Sequence, residues 1–291
     1  MEIFEVWPVT LFVVAGLLGL VVGSFLNVVA YRIPIMMERA WRAQCEDLKS
    51  QPFTPPVNAG EGKCFDLWWP PSACPACGQA IAARHNVPVL GFLWLKGHCA
   101  KCGAKISPRY PLVEAFAGVL ALAVAYTFGP TFATVAALGF AWTLLALTLI
   151  DLDHKLLPDS LTLPLLWAGL LVNLAGTFAT LPSAVIGAAA GYLALWSVYM
   201  LFKLVTGKEG MGFGDFKLLA AIGAWVGWQL LPVVILLSAV VGSVVGIALI
   251  VFGGRSSQTA IPFGPYLAAA GFIALLWGER LVQLYEAWFF R

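Results

Sequence analysis

Long apolar runs limit this chain more than any other feature of its sequence. Stretches near the roughly 20 residues that cross a bilayer recur at Val9–Tyr31, Pro111–Phe128, Thr131–Ile150, Leu161–Thr180, Pro182–Val205, Lys217–Leu230, Leu231–Phe252 and Pro262–Trp277. With 60% hydrophobic and 11% charged residues, the chain lies outside the range of soluble domains. The expected fold class is an all-α polytopic membrane protein of about eight transmembrane helices. The junctions at Gly129-Pro130, Thr180–Pro182 and near Pro232 are so short that the helices they join are expected to run antiparallel.

The positions of Lys and Arg set an orientation. Ten of the 17 fall between Arg32 and Arg109, and an eight-span count puts Lys155, Lys203, Lys208, Lys217 and Arg255 on the same side. The positive-inside rule makes that side the cytoplasm. The N-terminus, with Glu2 and Glu5, is then external. The first span lacks a charged n-region and a small-residue cleavage site, so it reads as a retained helix.

One polar stretch, Arg32 to Arg109, interrupts the spans and is poor in core-forming periodicity. Its first half, Arg39–Trp69, reads as a loop or loosely packed helix followed by a linker rich in Pro and Gly. Its second half carries two matching knuckles, Cys74-Pro-Ala-Cys77-Gly and Cys99-Ala-Lys-Cys102-Gly. Four thiolates in two C-x-x-C pairs suit a tetrahedral structural zinc with no open coordination position. A pair of disulfides is the alternative, and a reducing cytoplasm disfavours it. Cys45, Cys64, His85 and His98 fall outside this pattern. The metal is expected to supply much of this domain's folding energy.

Two carboxylates stand out against the apolar background. Asp151 ends the run Thr131–Ile150, and Asp215 closes Gly210-Met-Gly-Phe-Gly-Asp. Ionised groups beside hydrocarbon cost several kcal/mol unless paired, hydrated or protonated. An eight-span count brings both acids to the same face. Gly212 and Gly214 remove side-chain bulk ahead of Asp215, which lets the backbone approach a partner helix or an extended peptide. Each acid also has a plain reading: Asp151 as an interfacial charge compensated by His154 or Lys155, and Asp215 as the N-cap of a helix beginning at Phe216. Asp159, after Pro158, reads as a helix cap. Two carboxylates within reach of each other share a proton, so one can serve a water as base while the other donates to a carbonyl. The chain has no G-x-S-x-G, H-E-x-x-H or Walker A motif to support another mechanism.

Gly210-Met-Gly-Phe-Gly-Asp215 resembles the motif of the GxGD intramembrane aspartyl proteases, and Asp151-Leu-Asp-His-Lys-Leu-Leu-Pro-Asp159 resembles the companion motif of the type IV prepilin peptidases. The likeness extends to Gly23-Ser-Phe-Leu-Asn-Val-Val-Ala-Tyr-Arg-Ile-Pro34, the two cysteine knuckles, Ser107-Pro-Arg-Tyr-Pro-Leu-Val-Glu114 and Ile261-Pro-Phe-Gly-Pro-Tyr266. The chain thus resembles the bifunctional prepilin leader peptidase and N-methyltransferase family over nearly its whole length. The resemblance implies a bacterial inner-membrane enzyme with its active site facing the cytoplasm. It would cut the basic leader from type IV prepilins and type II secretion pseudopilins after a glycine, with Asp151 and Asp215 as the catalytic pair. It also implies methylation of the new N-terminal amine, commonly on phenylalanine, from S-adenosylmethionine.

The methyltransferase half is less legible. No Rossmann-type G-x-G-x-x-G is present, so the polar domain is the expected donor region. Gly97, beside the second knuckle, either lets backbone approach a cofactor or simply turns the chain. Glu114 either binds the substrate amine or pairs with Arg109. The organisation expected is a first transmembrane helix in 1–31, a zinc-bound cytoplasmic domain inserted between helices one and two in 32–109, and a peptidase domain in 110–291. Trp225, Trp228 and Trp277 are expected as interfacial anchors. Expected partners are pilin-type substrates and membrane lipid, with no nucleic acid. The alternative from another class is a proton-coupled transporter using Asp151 and Asp215 as a relay.

Overall fold

A computed structural model of the chain describes residues 8–45, 64–252 and 261–289. The acidic N-terminus, the linker read at 51–62, Arg255 and Arg291 lie outside the described residues. The described chain is helical, without strands, and carries two isolated β-bridges, Ala73 to Ala80 and His98 to Lys105. It forms two compact units, Met1–Pro130 and Thr131–Arg291. Among the described residues, five helices are long and apolar enough to cross a membrane. The protein is a multi-pass membrane protein.

In the first unit, α1 (Pro8–Gln44) packs along α3 (Arg109–Phe128), with the five-residue α2 (Leu90–Trp94) between them in sequence. The α1–α3 approach is close because Gly19 and Gly23 lie on the contact: a Cβ on Gly19 would meet the Gly118 Cα at 2.7 Å. Small residues replace side-chain packing with backbone proximity, a common solution in membranes. The expected first span ends at Tyr31, but α1 continues through Pro34 to Gln44. Its 37 residues cover about 55 Å, more than a hydrocarbon core needs. An Arg42–Glu38 pair at 2.7 Å supports the final turns.

The second unit contains α4 (Phe132–His154), α5 (Asp159–Val172), α6 (Leu181–Thr206), α7 (Phe213–Val226), α8 (Leu231–Val251) and α9 (Gly264–Phe289). α7 forms its centre, packed against α5, α6 and α9, and is buried continuously from Asp215 to Val226 apart from Lys217. Its 14 residues extend about 21 Å, short of a full crossing. α5 is equally short, and the chain leaves it through a 3-10 turn at Asn173–Ala175. The expected spans Lys217–Leu230 and Leu161–Thr180 therefore overlap these shorter helices, which begin earlier, at Phe213 and Asp159, and end in turns. Trp225 corrects its expected interfacial role: it is 2% exposed, packs against Phe140 and Phe178, and donates its indole N–H to the Leu165 carbonyl at 2.8 Å.

Candidate active site

Asp151 and Asp215 come together within the second unit, and both are buried. Asp151 lies in the last turn of α4. That helix stops because Lys155 adopts the left-handed region, its N–H still donating to the Asp151 carbonyl at 2.9 Å. Asp215 lies in the first turn of α7, which begins at Phe213 with Gly212 in the capping position. Asp215 therefore stands three residues inside the helix, whose start the N-cap reading puts at Phe216, and does not cap it. Its carboxylate instead faces back to the Gly212 N–H and feels the charge of Asp151.

Backbone from a third element completes the site. The Gly264 N–H, at the start of α9, donates to Asp151 Oδ2 at 2.9 Å. A Cβ on Gly264 would sit 2.6 Å from that same oxygen, so glycine is what permits the approach. Leu157, in the connection after Asp151, lies between the two glycine-bearing elements. A Cβ on Gly214 would meet it at 2.8 Å, and one on Gly264 at 3.2 Å. Gly214 thus clears space for Leu157, while Gly212 faces the Asp215 carboxylate. The first turn of α7 is also held by Phe216, fully buried among Tyr192, Tyr199 and Phe213. Two acids at adjoining helix ends, one fixed by a main-chain donor, can hold a water against a substrate carbonyl.

The first unit gathers Cys74, Cys77, Cys99 and Cys102, with all four sulfurs within 4.8 Å of one another. Cys74 Sγ and Cys102 Sγ lie 3.9 Å apart, near the roughly 3.8 Å between thiolates around a tetrahedral zinc. The cluster can hold a metal ion. Each knuckle turns on an N–H to sulfur-residue carbonyl bond, Gly78 to Cys74 at 2.8 Å and Gly103 to Cys99 at 3.0 Å. Cys45 and Cys64 stand exposed outside the cluster, and the His98 ring contacts the Lys96 carbonyl at 2.7 Å.

Gly97 and Glu114 take structural positions in the same unit. Gly97 has φ +72°, and a Cβ there would meet the Phe92 ring at 3.1 Å, so this face is filled by the chain itself. Glu114, buried in α3, accepts the Val89 N–H at 2.7 Å. Val89 has φ +59°, costly for a β-branched residue, and Leu90 N–H reaches back to the Pro88 carbonyl at 2.6 Å. A buried carboxylate therefore holds a strained turn at the start of α2. Arg32, also buried, ties the chain after the linker to α1 through the Asp66 carbonyl at 2.8 Å and the Pro70 carbonyl.

Two family models match the chain: the bacterial peptidase A24 N-terminal domain over residues 17–128 and the type IV leader peptidase family over residues 138–247. A prepilin leader peptidase/N-methyltransferase from Aeromonas hydrophila is 53% identical over 285 residues, covering 98% of this chain and 97% of that protein. Its counterpart from Stutzerimonas stutzeri is 54% identical over 278 residues, covering 96% and 94%. The chain belongs to the type IV leader peptidase family. The Pseudomonas aeruginosa relative, 54% identical over 270 residues, covers 92% of this chain and 91% of its own length. No solved structure matches the chain.

The first family match contains α3 and all four clustered cysteines; the second contains Asp151 and Asp215. Gly264 lies beyond the second match yet touches Asp151. In sequence it stands inside Ile261–Tyr266, where the tight Pro-Phe-Gly-Pro pattern is the local signal. Leu157 lies inside the Asp151–Asp159 motif and Asn173 inside the expected span Leu161–Thr180, but nothing local distinguishes either from its neighbours, because Leu157 packs on Gly214 and Gly264 and Asn173 bonds the Ala224 and Trp225 carbonyls.

Proposed function

We propose that this chain is an inner-membrane aspartyl endopeptidase that removes the basic leader of type IV prepilins and type II secretion pseudopilins after a glycine, then N-methylates the new N-terminus. The observation that carries the peptidase reading is the meeting of two buried aspartates at the ends of α4 and α7, with Gly264 bonded to one of them. Full-length relatives named prepilin leader peptidase/N-methyltransferase support both activities.

In this reading Asp151 and Asp215 are the catalytic pair. The ionised member takes a proton from a water as its oxygen attacks the scissile carbonyl carbon. The protonated member donates to the carbonyl oxygen. Collapse of the tetrahedral species breaks the C–N bond, and the departing amine takes a proton from the acid that received it from water. The Gly264 N–H holds Asp151 in a fixed orientation, and Gly212 and Gly214 support the loop entering α7 while keeping side chains off the approach.

The proposed architecture has about eight membrane-embedded helices in lipid, of which the short α5 and α7 are continued by turns, with 1–31 as the first, 32–109 as an inserted cytoplasmic domain and 110–291 as the peptidase region. The excess of Lys and Arg between Arg32 and Arg109 supports a cytoplasmic site. Cys74, Cys77, Cys99 and Cys102 would hold a structural zinc. S-adenosylmethionine would supply the methyl group, with Gly97 and Glu114 as the candidate residues of its site.

The test is mass spectrometry of a prepilin incubated with membranes carrying the wild type, Asp151→Asn or Asp215→Asn, with S-adenosylmethionine present. The wild type is expected to yield leader loss plus one methyl, and each variant neither product. Full cleavage by either variant removes that aspartate from the mechanism.

A further inference from the structure

Asp159 and Lys217 form an ion pair for which the cleavage chemistry above has no use. Lys217 Nζ lies 2.7 Å from both Asp159 carboxylate oxygens. The pair joins the first residue of α5 to the first turns of α7, across 58 positions of sequence. Lys217 is two residues past Asp215, and Asp159 is two residues past Leu157, which packs against Gly214 and Gly264.

These contacts make a closed frame around the aspartates. From Asp151 the chain runs through Leu157 to Asp159, crosses the ion pair to Lys217 and returns to Asp215. The Gly264 N–H closes the other side on Asp151. On the N-terminal side of α7, residues 207–210 and Gly212 are exposed, and the restraints there are the Lys203–Glu209 pair at 2.8 Å and the packing of Phe213 and Phe216 on Tyr199. The ion pair is the charged link from the start of α7 to the segment that follows Asp151. A pair this exposed, with 31% and 53% of its side chains accessible, adds little to stability. Its geometric effect is local: Trp225 already ties α7 to the Leu165 carbonyl farther along α5, and the ion pair fixes how the first turns of the two helices sit beside the acids.

We propose that Asp159 and Lys217 are positioning residues that set the spacing of Asp151 and Asp215, an inference that rests on the aspartyl peptidase reading. The test uses the purified full-length protein in lipid nanodiscs with a prepilin, measuring kcat, KM and melting temperature. Asp159→Asn and Lys217→Met should each lower kcat by about tenfold to hundredfold, the usual effect of small misplacement, with KM and melting temperature near wild type. Lys217→Arg and the exchanged pair Asp159→Lys/Lys217→Asp should recover most of the turnover.

Wild-type kcat in both single variants would overturn the proposal. A raised KM with unchanged kcat would make these residues substrate contacts instead, and a melting temperature falling in step with kcat would reduce them to fold stabilisers. Failure of both Lys217→Arg and the exchange to recover turnover would also sink it. Asp215→Asn is assayed in parallel: cleavage by that variant defeats the peptidase assignment itself, whereas an inactive Asp215→Asn beside fully active Asp159 and Lys217 variants defeats the positioning role alone.

Discussion

Asn173 is fully buried and uses its whole amide. It donates to the Ala224 and Trp225 carbonyls at 2.9 Å and accepts the Phe178 and Ala179 N–H groups at 3.0 Å. One side chain thereby satisfies the end of α7 and the turn leading to α6. Asn173→Ala would strand four backbone groups without water, a loss of about 3 to 5 kcal/mol; a sharp fall in melting temperature in detergent or nanodiscs checks it. Gly264→Ala acts differently, because its new methyl would collide with the Asp151 carboxylate. Cleavage is expected to drop on the order of a hundredfold while the protein still inserts and accumulates, measured as prepilin processing per folded enzyme. The acids were legible in sequence because charge in an apolar run is locally conspicuous. Asn173 and Gly264 were not, because their partners are 51 and 113 residues away.

Among the elements, α7 departs most from its sequence reading. An apolar stretch that faces lipid and one enclosed by other helices have the same composition, since both are hydrophobic all round. Only the packing separates them. α7 crosses α6 where Gly187 and Gly223 meet, and a Cβ on Gly223 would lie 2.2 Å from the Gly187 carbonyl oxygen. Gly223→Leu would force the helices apart, at a cost of at least about 3 kcal/mol. The expected result is loss of both folded yield and cleavage, read by size-exclusion profile and prepilin assay. The first helix departs in the other direction: the apolar span ends at Tyr31, yet α1 passes through Pro34 and runs ten residues beyond it. A length well beyond the bilayer leaves the last turns of α1 free to carry the Arg32 and Arg42 contacts that hold them.

At the scale of the molecule, the metal cluster and the aspartates belong to different compact units. Metal removal should therefore separate the two activities. Purified protein is expected to carry roughly one zinc per chain, by elemental mass spectrometry. Stripping it, or substituting Cys99→Ser with Cys102→Ser, should abolish methylation and lower a thermal transition of the first unit while leader cleavage persists. Loss of cleavage in step with methylation would mean that the peptidase unit also depends on the metal.

Membrane class, helical fold, the cysteine quartet and the two acids are all legible in the amino-acid order, because each rests on composition or on spacing within a few residues. Tertiary structure alone decided which helices lie at the centre of the second unit, that Trp225 is core, that Glu114 props a strained turn, and that Asp151 is held by Gly264. These depend on groups far apart in the chain being brought within a few ångströms, where burial withholds water and leaves each polar atom to the partner that packing supplies.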